Sequence, residues 1–192
     1  MHYLYHSVPI DMSGAVLEPL NILKHTKPEL YAQKVQKYHG REHVMERHVP
    51  LLNCLWNDVL HLSPVEPRVL KQALLEAGRE DGTFRFYQID PNTLELENTA
   101  VYLFRTLGKV IQPADAEFIT FSPKQLKQWQ AVPDRTKQYF KDHYSAGTRP
   151  LLFYGIPQHT IQRDNIDRRT KNSDGLKLHK QKTAMQSLHR GS

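Results

Sequence analysis

The chain has 192 residues, of which 39% are apolar and 24% charged, which is enough for one domain with a core. A single cysteine, Cys54, excludes an intramolecular disulfide framework and reads as a packed thiol, since it lies in an apolar run. No apolar run reaches membrane-span length and no basic-then-apolar leader opens the chain, so no membrane partner and a cytoplasmic location are expected. The net charge of +6 is concentrated at one end. Residues 163–192 carry eight Lys/Arg against three Asp, leaving eighteen Lys/Arg against seventeen Asp/Glu on residues 1–162. The expected organisation is one domain over 1–162 and a basic, flexible tail over 163–192.

Taken in order, His2–Ser7 alternates as a first strand, and Pro9 and Gly14 break it. Val16–Leu23 is a turn leading into a short helix. Thr26-Lys27-Pro28-Glu29 is a capping box that opens a helix from Pro28 to about Tyr38, interrupted by Gly40. Arg41–Arg47 is helix-compatible and dense in charge. Val49–Leu62 holds one or two strands with Asn57-Asp58-Val59 as a bend. Ser63-Pro64-Val65-Glu66 predicts a capped helix that runs to Gly78. Thr83–Ile89 alternates as a half-buried strand, and Asp90-Pro91 starts a short helix. Ala100–Phe104 is a strand and Gly108–Ala116 a loop. Next comes a strand headed by Glu117, with Phe118, Ile119 and Phe121 as its apolar positions. Ser122-Pro123-Lys124-Gln125 predicts a helix to Trp129, and another spans Pro133–Tyr144 before Gly147. Leu151–Ile156 is predicted as the last core strand. Strands hand over to helices at VLHL-SP, FYQI-DP and FITF-SP, so the expected class is α/β or α+β with one mixed sheet system.

The common enzymatic motifs are absent: no Walker loop, no GxGxxG after a strand, no GxSxG elbow and no CxxC pair. His39 and His43 lie four apart beside Glu42, Glu46 and His48, but Gly40 weakens the helix that this spacing requires. A solvated charged face is the expected reading there, and no metal site. Glu117, at the lip of a core strand, is either solvated at a sheet edge or aimed into a cleft.

The order of pieces resembles an ADP-ribosyltransferase fold, most like the DarT-type enzymes that modify DNA bases. Four stretches carry the resemblance: Tyr5-His6-Ser7 with Leu20-Asn21-Ile22-Leu23; Arg41; Val49-Pro50 through Ser63-Pro64-Val65-Glu66-Pro67; and Ala116-Glu117-Phe118-Ile119. Two departures stand out: Ser7-Val8 where the family has Ile-Thr or Gly-Thr, and Trp56-Asn57-Asp58, which has no place on the family pattern. The resemblance implies an α+β fold, an ADP-ribosyltransferase-like split β-sheet core with flanking helices. It implies NAD as substrate and a macromolecular acceptor, nucleic acid or protein. A toxin or defence role, with an antitoxin or inhibitor protein as partner, follows from the same likeness. Glu117 and Arg41 would be catalytic, and His6, Ser7 and Asn21 would bind NAD. A carboxylate beside the ribose stabilises the oxocarbenium-like charge that develops when the nicotinamide bond breaks, and a guanidinium suits the pyrophosphate. Nucleic acid would be met by a local patch or by the basic tail. The alternative is a non-catalytic binding or interaction module on a similar fold.

Overall fold

The computed structural model describes residues 2–8, 17–80, 82–106, 111–162 and 179–182. Pro9, Gly14 and Val16, most of the Gly108–Ala116 loop's first half, and tail residues 163–178 and 183–192 lie outside the described residues. Nine strands and four α-helices are described, and every strand pairing is antiparallel. The class is α+β: the interleaving of strands and helices left α/β open, and the antiparallel pairing in separate sheets, in place of one mixed sheet, decides it.

Two sheets form the body. The first is β1 (Leu4–Ser7), β5 (Arg85–Ile89) and β9 (His179–Lys182), in the order β1-β5-β9. The second has the order β4-β8-β6-β7, from β4 (Val59–Leu62), β6 (Thr99–Tyr102), β7 (Phe118–Thr120) and β8 (Gln158–Gln162). A small hairpin, β2 (His48–Val49) and β3 (Cys54–Leu55), stands apart. The two main sheets meet at one antiparallel bridge, where Tyr5 and Ser63 exchange both backbone hydrogen bonds at 2.8 Å.

The helices follow their sequence signals with some corrections. α1 (Leu20–Thr26) and α2 (Pro28–Val35) fall where expected, α2 tightening into a 3-10 turn over Gln36–Tyr38. Arg41–Arg47 forms a single 3-10 turn, Glu42–Val44, because Gly40 at φ +75° leaves the helical path just before it. α3 (Pro67–Glu76) starts four residues after Ser63, whose hydroxyl accepts from the Val65 N–H and so closes a local turn instead of capping the helix. Gly78 (φ +99°) closes α3 as predicted, with Gly78 N–H and Arg79 N–H donating back to Leu75 and Leu74 carbonyls. Pro123–Trp129 is 3-10 and not α, and the Ser122 side chain makes no cap bond. α4 (Asp134–Ser145) ends before Gly147 as expected.

Leu151–Ile156 is not a strand. Pro150, Gly155 at φ +74° and Pro157 bracket it, and it closes on itself through Tyr154 N–H to Leu151 and Ile156 N–H to Phe153. Its aromatic and aliphatic side chains anchor one by one: Leu152, Phe153 and Ile156 against α3 and α4, Tyr154 against Phe104. The last strand of the second sheet is β8, which fills the gap between β4 and β6. Three apolar clusters hold the body together: Leu70, Leu74 and Phe140 between α3 and α4; Leu4, Leu62, Ile89 and Leu126 under the junction of the two sheets; Trp56, Tyr102, Phe104 and Phe118 around the hairpin. Burial of this apolar area is the main favourable term in folding.

Candidate functional site

The site starts from the geometry of β1. Antiparallel pairing alternates the direction of backbone groups, so Tyr5, which bonds Ser63, and Val8, whose N–H bonds the Arg85 carbonyl, point to opposite neighbours. The same alternation turns the N–H and C=O of Ser7 away from β5 and toward β4. There the strands have separated: beyond the bridge, no described backbone group of β4 meets Ser7. The His6 ring spans the split, and its Nδ1 lies 2.9 Å from the His61 carbonyl. A carbonyl only accepts, so Nδ1 carries the proton and Nε2 presents a lone pair. The His61 ring is fixed likewise, Nε2–H donating to the Trp56 carbonyl at 3.0 Å, with Nδ1 buried and without a partner. Burial, and then the Lys37 ammonium, hold both imidazoles neutral, against the upward pull of their carbonyl bonds. His6 is lowered from its ordinary value, and His61 is lowered to about 3.

Trp56-Asn57-Asp58, which has no counterpart on the family pattern, is the hub beneath this opening. It is a 3-10 turn joining β3 to β4. Trp56 packs on the His61 ring at 4.4 Å. The Asn57 carbonyl oxygen accepts from the Tyr38 hydroxyl at 2.8 Å. Asp58 accepts from Asn21 Nδ2 at 2.7 Å and from the Leu55 N–H at 2.8 Å. Asn21 is therefore tied to the turn and holds it in place.

Arg41 follows the turn that ends α2. Its Nε and Nη2 both donate to the Lys37 carbonyl, at 3.0 and 2.7 Å, and the guanidinium lies 5.6 Å from the centre of the Tyr38 ring. Its charge reaches Tyr139 on α4 and Arg47. Arg47 is buried, its Nε donating to the Ile111 carbonyl at 3.2 Å, and its charge acts on Tyr38 and Tyr102. Burial pushes the hydroxyls of Tyr38 and Tyr102 up to about 12, so both stay protonated.

Glu117 is neither solvated nor open to a wide cleft. It ends the 3-10 turn Asp115–Glu117, one residue before β7, and is only 6% exposed. Oε2 accepts the Arg105 N–H at 2.7 Å; Oε1 accepts the Thr106 N–H at 3.1 Å and the Thr106 hydroxyl at 2.8 Å. A carboxylate has about four lone-pair positions, so one on Oε2 is left over. The turn it holds is unusual, because Phe104 is left-handed at φ +57°. Arg135 of α4 steadies that residue by donating to the carbonyls of Phe104 (2.6 Å), Arg105 (3.0 Å) and Gly155 (3.3 Å). Glu117 in turn acts electrostatically on Tyr102, which stacks between Trp56, Phe104 and Phe118.

Comparisons with protein-family models, with curated proteins and with solved structures give no match. The geometry thus stands alone. It puts His6 and Ser7 at the split, Arg41 on the Lys37 carbonyl, and Asn21 in support of the Trp56-Asn57-Asp58 turn, while Glu117 sits on the separate turn that follows Phe104. Sequence reading missed Lys37, Tyr38, Asn57, His61, Arg47 and Arg135. Only the unplaced Trp56-Asn57-Asp58 gave a signal, as a polar insert within an apolar run.

Cys54 is buried, and its thiol is pushed up to about 11 by burial and then by Asp58, so it is held as an unreactive packed group. Among the described residues no group of three His, Cys, Asp or Glu is placed to hold a metal ion, and no helix is long and apolar enough to cross a membrane.

Proposed function

We propose that this protein is an NAD-dependent ADP-ribosyltransferase that moves ADP-ribose onto a macromolecular acceptor. The observation that carries the reading is the split between β1 and β4. There one residue, Ser7, turns a backbone donor and acceptor toward an edge where no described backbone group of β4 meets it. An adjacent N–H and C=O pair is complementary to a primary carboxamide, which is what nicotinamide presents. His6 Nε2, neutral and accepting, suits a ribose hydroxyl beside it. Glu117 is a carboxylate fixed in orientation before any substrate arrives, which is the condition for stabilising a developing cation without reorganisation. Arg41 retains guanidinium protons beyond the two used on Lys37, and these suit a phosphate or the acceptor.

The chemistry would run as follows. The nicotinamide–ribose bond lengthens, positive charge grows on the ribose, and the Glu117 carboxylate faces that charge while its remaining lone pair takes a ribose hydroxyl. Nicotinamide leaves, and an acceptor nucleophile attacks the vacated carbon. A likeness to DarT-type enzymes would make the acceptor nucleic acid, the biological role that of a toxin or defence effector, and an inhibitor protein its regulator.

The test is NAD consumption, including slow hydrolysis to ADP-ribose, by wild type and Glu117→Gln. The comparison belongs well below the lower of the two melting temperatures. We expect a loss of about two to three decades, the usual effect of removing one preorganised electrostatic partner. Equal rates in the two proteins would remove Glu117 from the mechanism, and with it the reading.

A further inference from the structure

We propose that Lys37 and Arg41 form a clamp for a diphosphate group, with Lys37 supplying a cation that the sequence signals did not single out. Both charges are organised by one ring and one carbonyl. The Lys37 ammonium lies 4.9 Å from the Tyr38 ring centre and the Arg41 guanidinium 5.6 Å from the same centre. Arg41 is anchored on the main-chain carbonyl of Lys37, so its guanidinium is held to the turn that carries the Lys37 side chain. No carboxylate among the described residues pairs with either of them. The nearest acid in sequence, Glu42, is committed elsewhere: it accepts the Gly40 N–H at 2.9 Å and faces His39 at 3.7 Å.

Two like charges on one ring without a counter-ion disfavour one another. The Lys37 pKa is lowered, first by desolvation of the ammonium although the residue as a whole is exposed, and then by Arg41 and Lys34. His6 and His61, on which the Lys37 charge acts, are kept neutral, so they offer no negative charge either. The hydroxyl end of the same tyrosine is fixed from the interior. Asn57, 2% exposed, spends its oxygen on the Tyr38 hydroxyl and leaves its amide nitrogen without a partner. Two cations on one tyrosine, neither paired with a carboxylate among the described residues, form a site that lacks an anion. A diphosphate, with two charges and several acceptor oxygens, matches the pair better than a single carboxylate does. Naming the ligand as a dinucleotide diphosphate rests on the transferase reading; the clamp for the phosphates does not.

The experiment is calorimetric titration of wild type, Lys37→Met and Lys37→Arg with inorganic pyrophosphate, ADP-ribose and adenosine. Lys37→Met keeps an unbranched stem at an exposed position and removes the charge, and Lys37→Arg restores it. Wild type should bind pyrophosphate and ADP-ribose and not adenosine. Lys37→Met should weaken both phosphate ligands on the order of tenfold or more, as loss of a charge-assisted bond does. Lys37→Arg should recover most of that. Wild-type pyrophosphate affinity in Lys37→Met, or no pyrophosphate binding by wild type, overturns the clamp. NAD turnover on the same samples separates the two readings. Pyrophosphate binding that depends on Lys37 in a protein with no turnover keeps the clamp and ends the transferase. Turnover with Lys37-independent pyrophosphate binding does the reverse.

Discussion

Among the described residues, His159 is the one imidazole with both ring nitrogens buried and unpartnered. It is fully buried on β8 between the rings of Phe121 (5.5 Å) and Trp129 (5.4 Å), and neither ring nitrogen has a hydrogen-bond partner. Burial lowers its pKa from 6.5 to about 3. Between those values the unfolded chain holds a proton that the folded chain refuses, so stability rises with pH there. The contribution is complete above the unfolded value and is lost as pH falls toward 3. Its slope is about 1.4 kcal/mol per pH unit for one such histidine. Replacing His159 with Leu removes an unsatisfied polar group of similar volume, so stability near neutral pH should hold or rise. The acid slope should fall by about one histidine's share, leaving those of His6 and His61. Urea midpoints over a pH series would check both; an unchanged slope would mean that another group controls acid unfolding. Glu117 is a harder residue to substitute than its place in the sequence implies. A Gln amide nitrogen must face one of three donors, and we expect Glu117→Gln to lose about 1–3 kcal/mol in denaturant titration. That is why activity must be compared on folded protein.

Among the elements, α4 does more than pack. Its Arg135 gathers the carbonyls of Phe104, Arg105 and Gly155, and so joins the turn under Glu117 to the irregular segment before β8. Arg135→Ala should lower stability by about 1–3 kcal/mol and should also depress NAD turnover at temperatures where the variant is folded. A Tm loss with unchanged turnover would confine Arg135 to structure. This link could not be read from sequence, because a guanidinium bonding carbonyls 20 to 31 residues away leaves no local pattern. What was legible obeys short-range rules. The ends of α2, α3 and α4 follow Pro28, Gly78 and Gly147, and β1, β5 and β6 follow alternation or β-branched runs. Leu151–Ile156 was misread because its apolar residues serve two cores separately, and composition alone does not distinguish that from one strand. Of the candidate site, the residue types were visible but not the three hydrogen bonds that fix Glu117 or the Tyr38 hub, both of which depend on chain crossings.

At the scale of the whole molecule, β9 is the described part of the tail, and it covers the outer edge of β5 with pairs from Arg85↔Lys182 to Gln88↔His179. Sequence reading treated 163–192 as a flexible appendage; these four residues are strand. Truncation after Gln162 should leave the body folded, since β5 still pairs with β1. It should also open the β5 edge, raising amide exchange along Arg85–Ile89 and the tendency to self-associate. Exchange rates at β5 equal to those of the full chain would show that β9 gives the edge no protection.

The turn at Phe104 also sets which substitutions the site can absorb. Arg105 contributes to the seat of Glu117 only through its main-chain N–H, and its own side chain is exposed. Position 105 should therefore be chemically indifferent: Ala, Ser or Glu there leaves the carboxylate where it is. Proline alone is disqualified, because it removes the one hydrogen that matters. A saturation library at this codon, sorted for NAD turnover, would then return a nearly flat profile with a single hole.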